Sequence, residues 1–200
     1  ANVTATGTAV NASGAWLEMN GGCIITANAD SEHPDAVAIL APDSRVDIDE
    51  RSTIVANNEE GTAVALDLPP VDSNGEFDTS VWIQEGSELH ANGKIAYGIR
   101  AAEGSVTLDG GFVAATGTDS AYGVMCSSTE SKLLTLRGQA GITPTAADNA
   151  TGASLIAGTL NLETAATIQA EASNATGVAI YGGSMYVEGE DVQIEASSTD

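Results

Sequence analysis

Basic side chains are scarce in this chain. Its 200 residues hold 6 Lys plus Arg against 28 Asp plus Glu, a formal net charge of −22. Nucleic acid and anionic membrane surfaces both require cationic patches, so neither is expected as a partner. Cations and neutral or basic partners remain compatible with such a surface. Aromatics make up only 4% of the residues. No apolar run reaches the roughly 18 residues that a membrane-spanning helix needs, so no membrane insertion is expected. No basic segment followed by an apolar one opens the chain as a secretory leader would. Only two cysteines are present, Cys23 and Cys126. In the register derived below they stand four coils apart, roughly 19 Å at about 4.8 Å per coil, which is beyond disulfide reach. Both are expected to be unpaired, buried small hydrophobes.

What is abundant is Gly, Ala, Ser and Thr, and it is arranged periodically. Residues 149–173 (NATGASLIAGTLNLETAATIQAEAS) and 174–198 (NATGVAIYGGSMYVEGEDVQIEASS) are one 25-residue unit written twice. Repeats of this length signify stacked structural units. The opening signature, a small residue followed by an apolar one, recurs along the whole chain. Its central small residues are Ala9, Ala38, Ala63, Gly98, Gly123, Gly152 and Gly177. A base period of about 25 residues with three insertions accounts for every interval.

Each unit carries a second alternating piece. It runs Leu17-Glu18-Met19, Val46-Asp47-Ile48, Val81-Trp82-Ile83, Val106-Thr107-Leu108, Leu134-Thr135-Leu136, Leu160-Asn161-Leu162 and Met185-Tyr186-Val187. Period-2 alternation sends the outer members inward and the middle residue outward. A third, weaker piece reads Ile25-Thr-Ala27, Ile54-Val-Ala56, Leu89-His-Ala91, Ala114-Ala-Thr116 and Ile168-Gln-Ala170. In the last unit it slips to Val192-Gln-Ile194, as a bulge would make it do. The fold class expected is therefore all-β: a single-stranded parallel β-helix, or β-solenoid, of about seven coils with three short strands each. An antiparallel sandwich would not hold a fixed register over seven units.

Residues 1–200 read as one solenoid domain with loop insertions at 28–35, 67–80 and 127–132. The 67–80 insertion carries paired prolines and an Asn74-Gly75 turn signal. No capping helix follows polar Glu195–Asp200, so the segment is expected to come from a longer surface protein.

Seven coils with stacked Val/Ile/Leu ladders and small-residue turns resemble the right-handed parallel β-helix of pectate-lyase-like proteins and bacterial surface adhesins. The resemblance is one of architecture. It implies a cell-surface or extracellular location, with polysaccharides or cell-surface glycans as partners. The GGxGxD repeat of calcium β-rolls and the Thr-x-Thr ladder of ice-binding solenoids are both missing.

Candidate chemistry lies on the outward face of the second strands. Trp82 is a large aromatic there, and an aromatic ring offers apolar contact to a sugar while neighbouring polar groups bond its hydroxyls. Glu18 and Asp47 supply acceptors on the same face, and Tyr186 is a further aromatic. Trp16 and Phe77 are weaker candidates. The residues after the second strands form a ladder, Asn20, Asp49, Gln84, Asp109, Arg137, Glu163 and Glu188, read as an ion-pair ladder about Arg137. Stacked carboxylates such as Glu163 and Glu188 reach glycosidase-like spacings by solenoid geometry alone, so no catalytic residue is assigned. Calcium could meet carboxylates at Asp47, Asp49 and Glu50, or at Asp72, Glu76 and Asp78, but neither group has a recognised loop spacing. No cofactor is implied. His33 and His90 read as surface residues, and Tyr97 and Tyr122 as a stacked pair in the core or at a corner. The Asn-x-Ser/Thr sequons at Asn2, Asn11, Asn149 and Asn174 read as repeat chemistry.

The sequence thus favours a non-catalytic adhesin, glycan-binding or stalk module. A polysaccharide lyase or glycoside hydrolase is the alternative, and a purely structural repeat the third reading.

Overall fold

The computed structural model describes residues 1–49, 51–70, 79–102, 104–127 and 133–199. These form an all-β solenoid of about seven turns, roughly 27 residues apart. All strand pairings between coils are parallel. No helix is long and apolar enough to cross a membrane.

The second strands stack in chain order into a seven-stranded sheet: Trp16–Met19, Arg45–Ile48, Ser80–Gln84, Ser105–Asp109, Leu133–Arg137, Gly158–Leu162 and Gly183–Val187. The other two strands of each coil share one twelve-stranded sheet. In the middle coils they fuse into single long strands, Thr53–Leu68, Glu88–Ala101 and Phe112–Cys126, which turn a corner without breaking. Three strands per coil therefore make two sheets.

Alternation determines what fills the interior. On the second strands, Leu17, Val46, Val81, Val106, Leu134, Leu160 and Met185 stack in one inward row, and Met19 to Val187 in a parallel one. The third strands contribute Ile25, Ile54, Leu89, Val113, Ile142, Ile168 and Ile194. Most of these side chains are fully buried, and each is worth about 1.5–3 kcal/mol removed from water. The first strands bury two consecutive residues, a small one and a large one, as at Gly98-Ile99 and Gly123-Val124. The small one is obligatory. A Cβ on Gly98 would collide with Val113 Cγ1 and lie 2.7 Å from the Gly123 carbonyl oxygen.

Several expected registers move. Ala38 stands opposite Ala65, not Ala63, because Val37 pairs with Val64 and Ile39 with Leu66. The two extra residues are taken up at the corner Glu59-Glu60-Gly61, where the register shifts between Asn58 and Thr62. In the third strands Val113 and Ala115 point inward, not Ala114 and Thr116. Nor does the last coil slip, since Ile194 pairs with Ile168 and Ala196 with Ala170. Val192 precedes that strand and packs against the core. Two third strands have no counterpart among the expected pieces. Asn2–Thr6 adds a row before the first full coil. Gly141–Ala146 contains Pro144, which lacks a ladder N–H and so does not read as a strand.

The insertions leave at two edges. Residues 28–35 swell the corner between a third strand and the next first strand. There Asp30 Oδ1 accepts from the Glu32 and His33 backbone N–H groups, and Asn58 Nδ2 donates to the Pro34 carbonyl at 2.5 Å. The 67–80 and 127–132 insertions both join a first strand to a second strand. Of these, 71–78 (with Asp72, Asn74-Gly75, Glu76, Phe77 and Asp78) and 128–132 lie outside the described residues, as does Glu50. Both cysteines are free; Cys126 is buried, whereas Cys23, at a turn, is only half-buried. Tyr97 and Tyr122 do stack, with ring centroids 4.9 Å apart, but on the outer side of the first strands between inward Ala and Gly neighbours.

Candidate ligand-binding face

The second-strand sheet presents an outer face of in-register rows. Its rows are set by the inter-coil pairs Trp16↔Arg45, Glu18↔Asp47, Asp47↔Trp82 and Trp82↔Thr107. Residues two apart on one strand share a face, so Trp16 and Glu18 lie side by side in the first coil. Trp16 is 59% exposed and Trp82 is 38% exposed. These are the only two tryptophans of the chain.

Asp47 is the hub between them. One carboxylate oxygen accepts both the Trp16 indole Nε1–H and the Arg45 Nε–H, each at 3.0 Å. Arg45 also lies over the Trp16 ring, with Cζ 5.2 Å from the centroid. Trp82 has an equivalent escort. Arg137 reaches back from two coils further on, with Cζ 5.7 Å from the Trp82 ring, while its Nη2 donates to Asp109 at 2.9 Å. Each tryptophan thus carries a guanidinium over its ring, and each guanidinium is held by an aspartate. Such contacts limit indole motion and leave N–H donors beside an exposed apolar surface. Glu18 accepts a 2.7 Å bond from the Asn20 amide.

The structure places Glu18 opposite Asp47 and Asp47 opposite Trp82 in successive coils on one face. Tyr186 is 55% exposed on the same sheet, four coil steps from Trp82 and so roughly 19 Å away. It does not join the group. Trp16 does, and strand parity was the signal for it, because Trp16, Glu18 and Asn20 alternate with the inward Leu17 and Met19. The Arg45 and Arg137 contacts have no local sequence signal; they join residues 29 and 55 positions from their tryptophans. Arg137 pairs with Asp109, the ladder partner expected from its position.

Two concave surfaces among the described residues lie elsewhere. At the swollen corner a cleft of about 770 Å³ is lined by Asp30, Asp35, Glu59 and Glu60 among others, and a second of about 780 Å³ adjoins it along Asn28, Asn57 and Asn92. Those three asparagines form a ladder. Asn57 donates to Asn28 Oδ1 at 3.1 Å and accepts from Asn92 at 2.9 Å. His33 sits 3.2 Å from Asp30, and His90 2.9 Å from Glu88. Among the described residues no group of three His, Cys, Asp or Glu side chains is placed to hold a metal ion.

The fold and this face define the protein as a parallel β-solenoid with an aromatic–acidic outer sheet. Compared with family models, with curated proteins and with solved structures, the chain matches none.

Proposed function

We propose that the protein is an extracellular or cell-surface solenoid module that binds carbohydrate on the Trp16–Trp82 face and carries out no catalysis. The observation that supports this reading is the placement of both tryptophans on one sheet face around Asp47. Exposed indoles offer apolar surface for the C–H face of a sugar, and Glu18, Asp47, Arg45 and Arg137 offer directional partners for its hydroxyls. Seven coils at about 4.8 Å form a rigid rod roughly 35 Å long, suited to hold such a face away from a cell surface.

The test is a broad glycan array, run with and without calcium, on the protein and on Trp82→Ala and Trp16→Ala. Selective binding that both substitutions abolish is expected. Binding that survives both would remove the site from this face. Silence across the array would favour a stalk, and release of reducing ends from a polysaccharide would replace binding by cleavage.

A further inference from the structure

We infer that the ligand of this face is a linear, uncharged or amine-bearing oligosaccharide of at least three sugar rings, laid diagonally across the coils from Trp16 to Trp82. The inference rests on the carbohydrate reading above and narrows it in length and charge.

Length follows from register. Trp16 pairs with Arg45, Arg45 with Ser80, and Trp82 stands two residues beyond Ser80. Two coil steps along the axis and two residues along a strand separate the tryptophan Cα atoms by roughly 12 Å. One pyranose ring cannot touch both. A chain whose first and third rings stack on the indole surfaces that Arg45 and Arg137 leave uncovered would pass its middle ring over Asp47, which the Trp16 and Arg45 bonds hold in place. A linkage that flips successive rings presents the same ring face at positions one and three, which suits two platforms on one side of the chain.

Charge follows from pairing. Both cations on the path are already neutralised, Arg45 by Asp47 at 3.0 Å and Arg137 by Asp109 at 2.9 Å. Glu18 has an amide partner, Asn20, and no cationic one among the described residues. The strip is therefore net negative within a chain of charge −22. A uronate or sulphated chain would meet Glu18 and would have to displace an aspartate to reach either arginine. A neutral chain meets no such opposition, and an ammonium-bearing one gains from Glu18.

The experiment is titration calorimetry with β-1,4-linked oligomers of glucose, N-acetylglucosamine and glucosamine and with α-1,4-linked oligomers of galacturonate, each from one to six residues. Affinity should rise at least about tenfold between the dimer and the trimer of a neutral or amine-bearing series, as a second aromatic contact engages. That step should vanish in Trp16→Ala and in Trp82→Ala, and be kept in Trp82→Phe, which retains a ring. Added salt should weaken only the glucosamine series. Tightest binding by galacturonate, or binding with no dimer-to-trimer step, would overturn the inference and leave the carbohydrate reading standing. Silence in all four series, with an array signal confined to anionic glycans, would do the same. Silence on the array as well would overturn both.

Discussion

Arg100 stands directly across one coil step from Asp67 and holds its carboxylate with two parallel bonds, Nε to Oδ1 at 2.9 Å and Nη2 to Oδ2 at 2.6 Å. The aspartate side chain is 7% exposed and the arginine 40%. The hydrogen bonds that Arg100 donates to Asp67 raise the Arg100 pKa above its ordinary value, against the opposing effect of burial. The pair lies where the first strand runs toward the 67–80 insertion, and Arg100 also covers the Tyr97 ring at 5.6 Å. The two partners should not be equivalent. Arg100→Met leaves a buried carboxylate without its cation and should cost about 2–3 kcal/mol, discounted from a fully buried pair because Arg100 is partly solvated. Asp67→Asn keeps a polar partner and should cost about 1 kcal/mol. Urea unfolding of both variants and the double mutant checks this; equal costs for the singles would contradict it.

Gly98→Ala should destabilise by about 3 kcal/mol through overpacking alone. The added methyl would meet Val113 Cγ1 on the next coil and the Gly123 carbonyl oxygen. Trimming the neighbour in Gly98→Ala/Val113→Ala should recover only part of the loss, because the carbonyl contact persists. Full recovery in thermal melts would mean that the side chain, not the backbone approach, sets the limit.

Burial pushes the Cys126 thiol up from 9.0 to about 12. A raised thiol pKa means that the neutral form is favoured by folding. That contribution is complete below pH 9 and is lost as pH climbs from about 9 toward 12. Native protein at pH 8 should therefore show one thiol reactive to a disulfide reagent, Cys23, and one protected until unfolding. Cys126→Ala should fold, since Ala101 fills the equivalent place one coil earlier. It should lose stability less steeply above pH 9 than the parent. Two equally fast thiols would rule out the buried assignment.

With a formal charge of −22, like-charge repulsion opposes the compact state. Raising sodium chloride from about 20 to about 200 mM shortens the screening length severalfold in effect and should raise Tm by a few degrees. A falling Tm would show that the ion pairs of Arg45, Arg100 and Arg137 outweigh the general repulsion.

Outward and inward sets on the second strands were legible residue by residue. Each strand there is a clean apolar-x-apolar triplet, and a wrong parity would have buried Glu18, Asp47 or Asn161. The third strands were harder. In Phe112-Val113-Ala114-Ala115-Thr116 either parity offers a small apolar face, so only the fit of Val113 against Leu89 and Ile142 decides. The shift from Ala63 to Ala65 was hidden for the opposite reason. A two-residue slip keeps every side chain on its own face, so alternation cannot detect it. On the candidate face, Trp16 was readable by parity with Glu18, whereas its bond to Asp47 was not.

The amino-acid sequence by itself determined the repeat of the coil, the inward ladders of the second strands, and the tryptophans and acids left outside. Those are properties of a period-2 backbone and of local side-chain polarity, which operate within a few residues. The tertiary structure alone decided how coils meet. Insertion lengths, the small residue at each close approach and the corner at Glu59-Glu60-Gly61 set the inter-coil register. That register brings Arg45 over Trp16 and Arg137 over Trp82. Contacts between residues 25 to 55 positions apart depend on how neighbouring turns pack, and no short window of sequence contains that information.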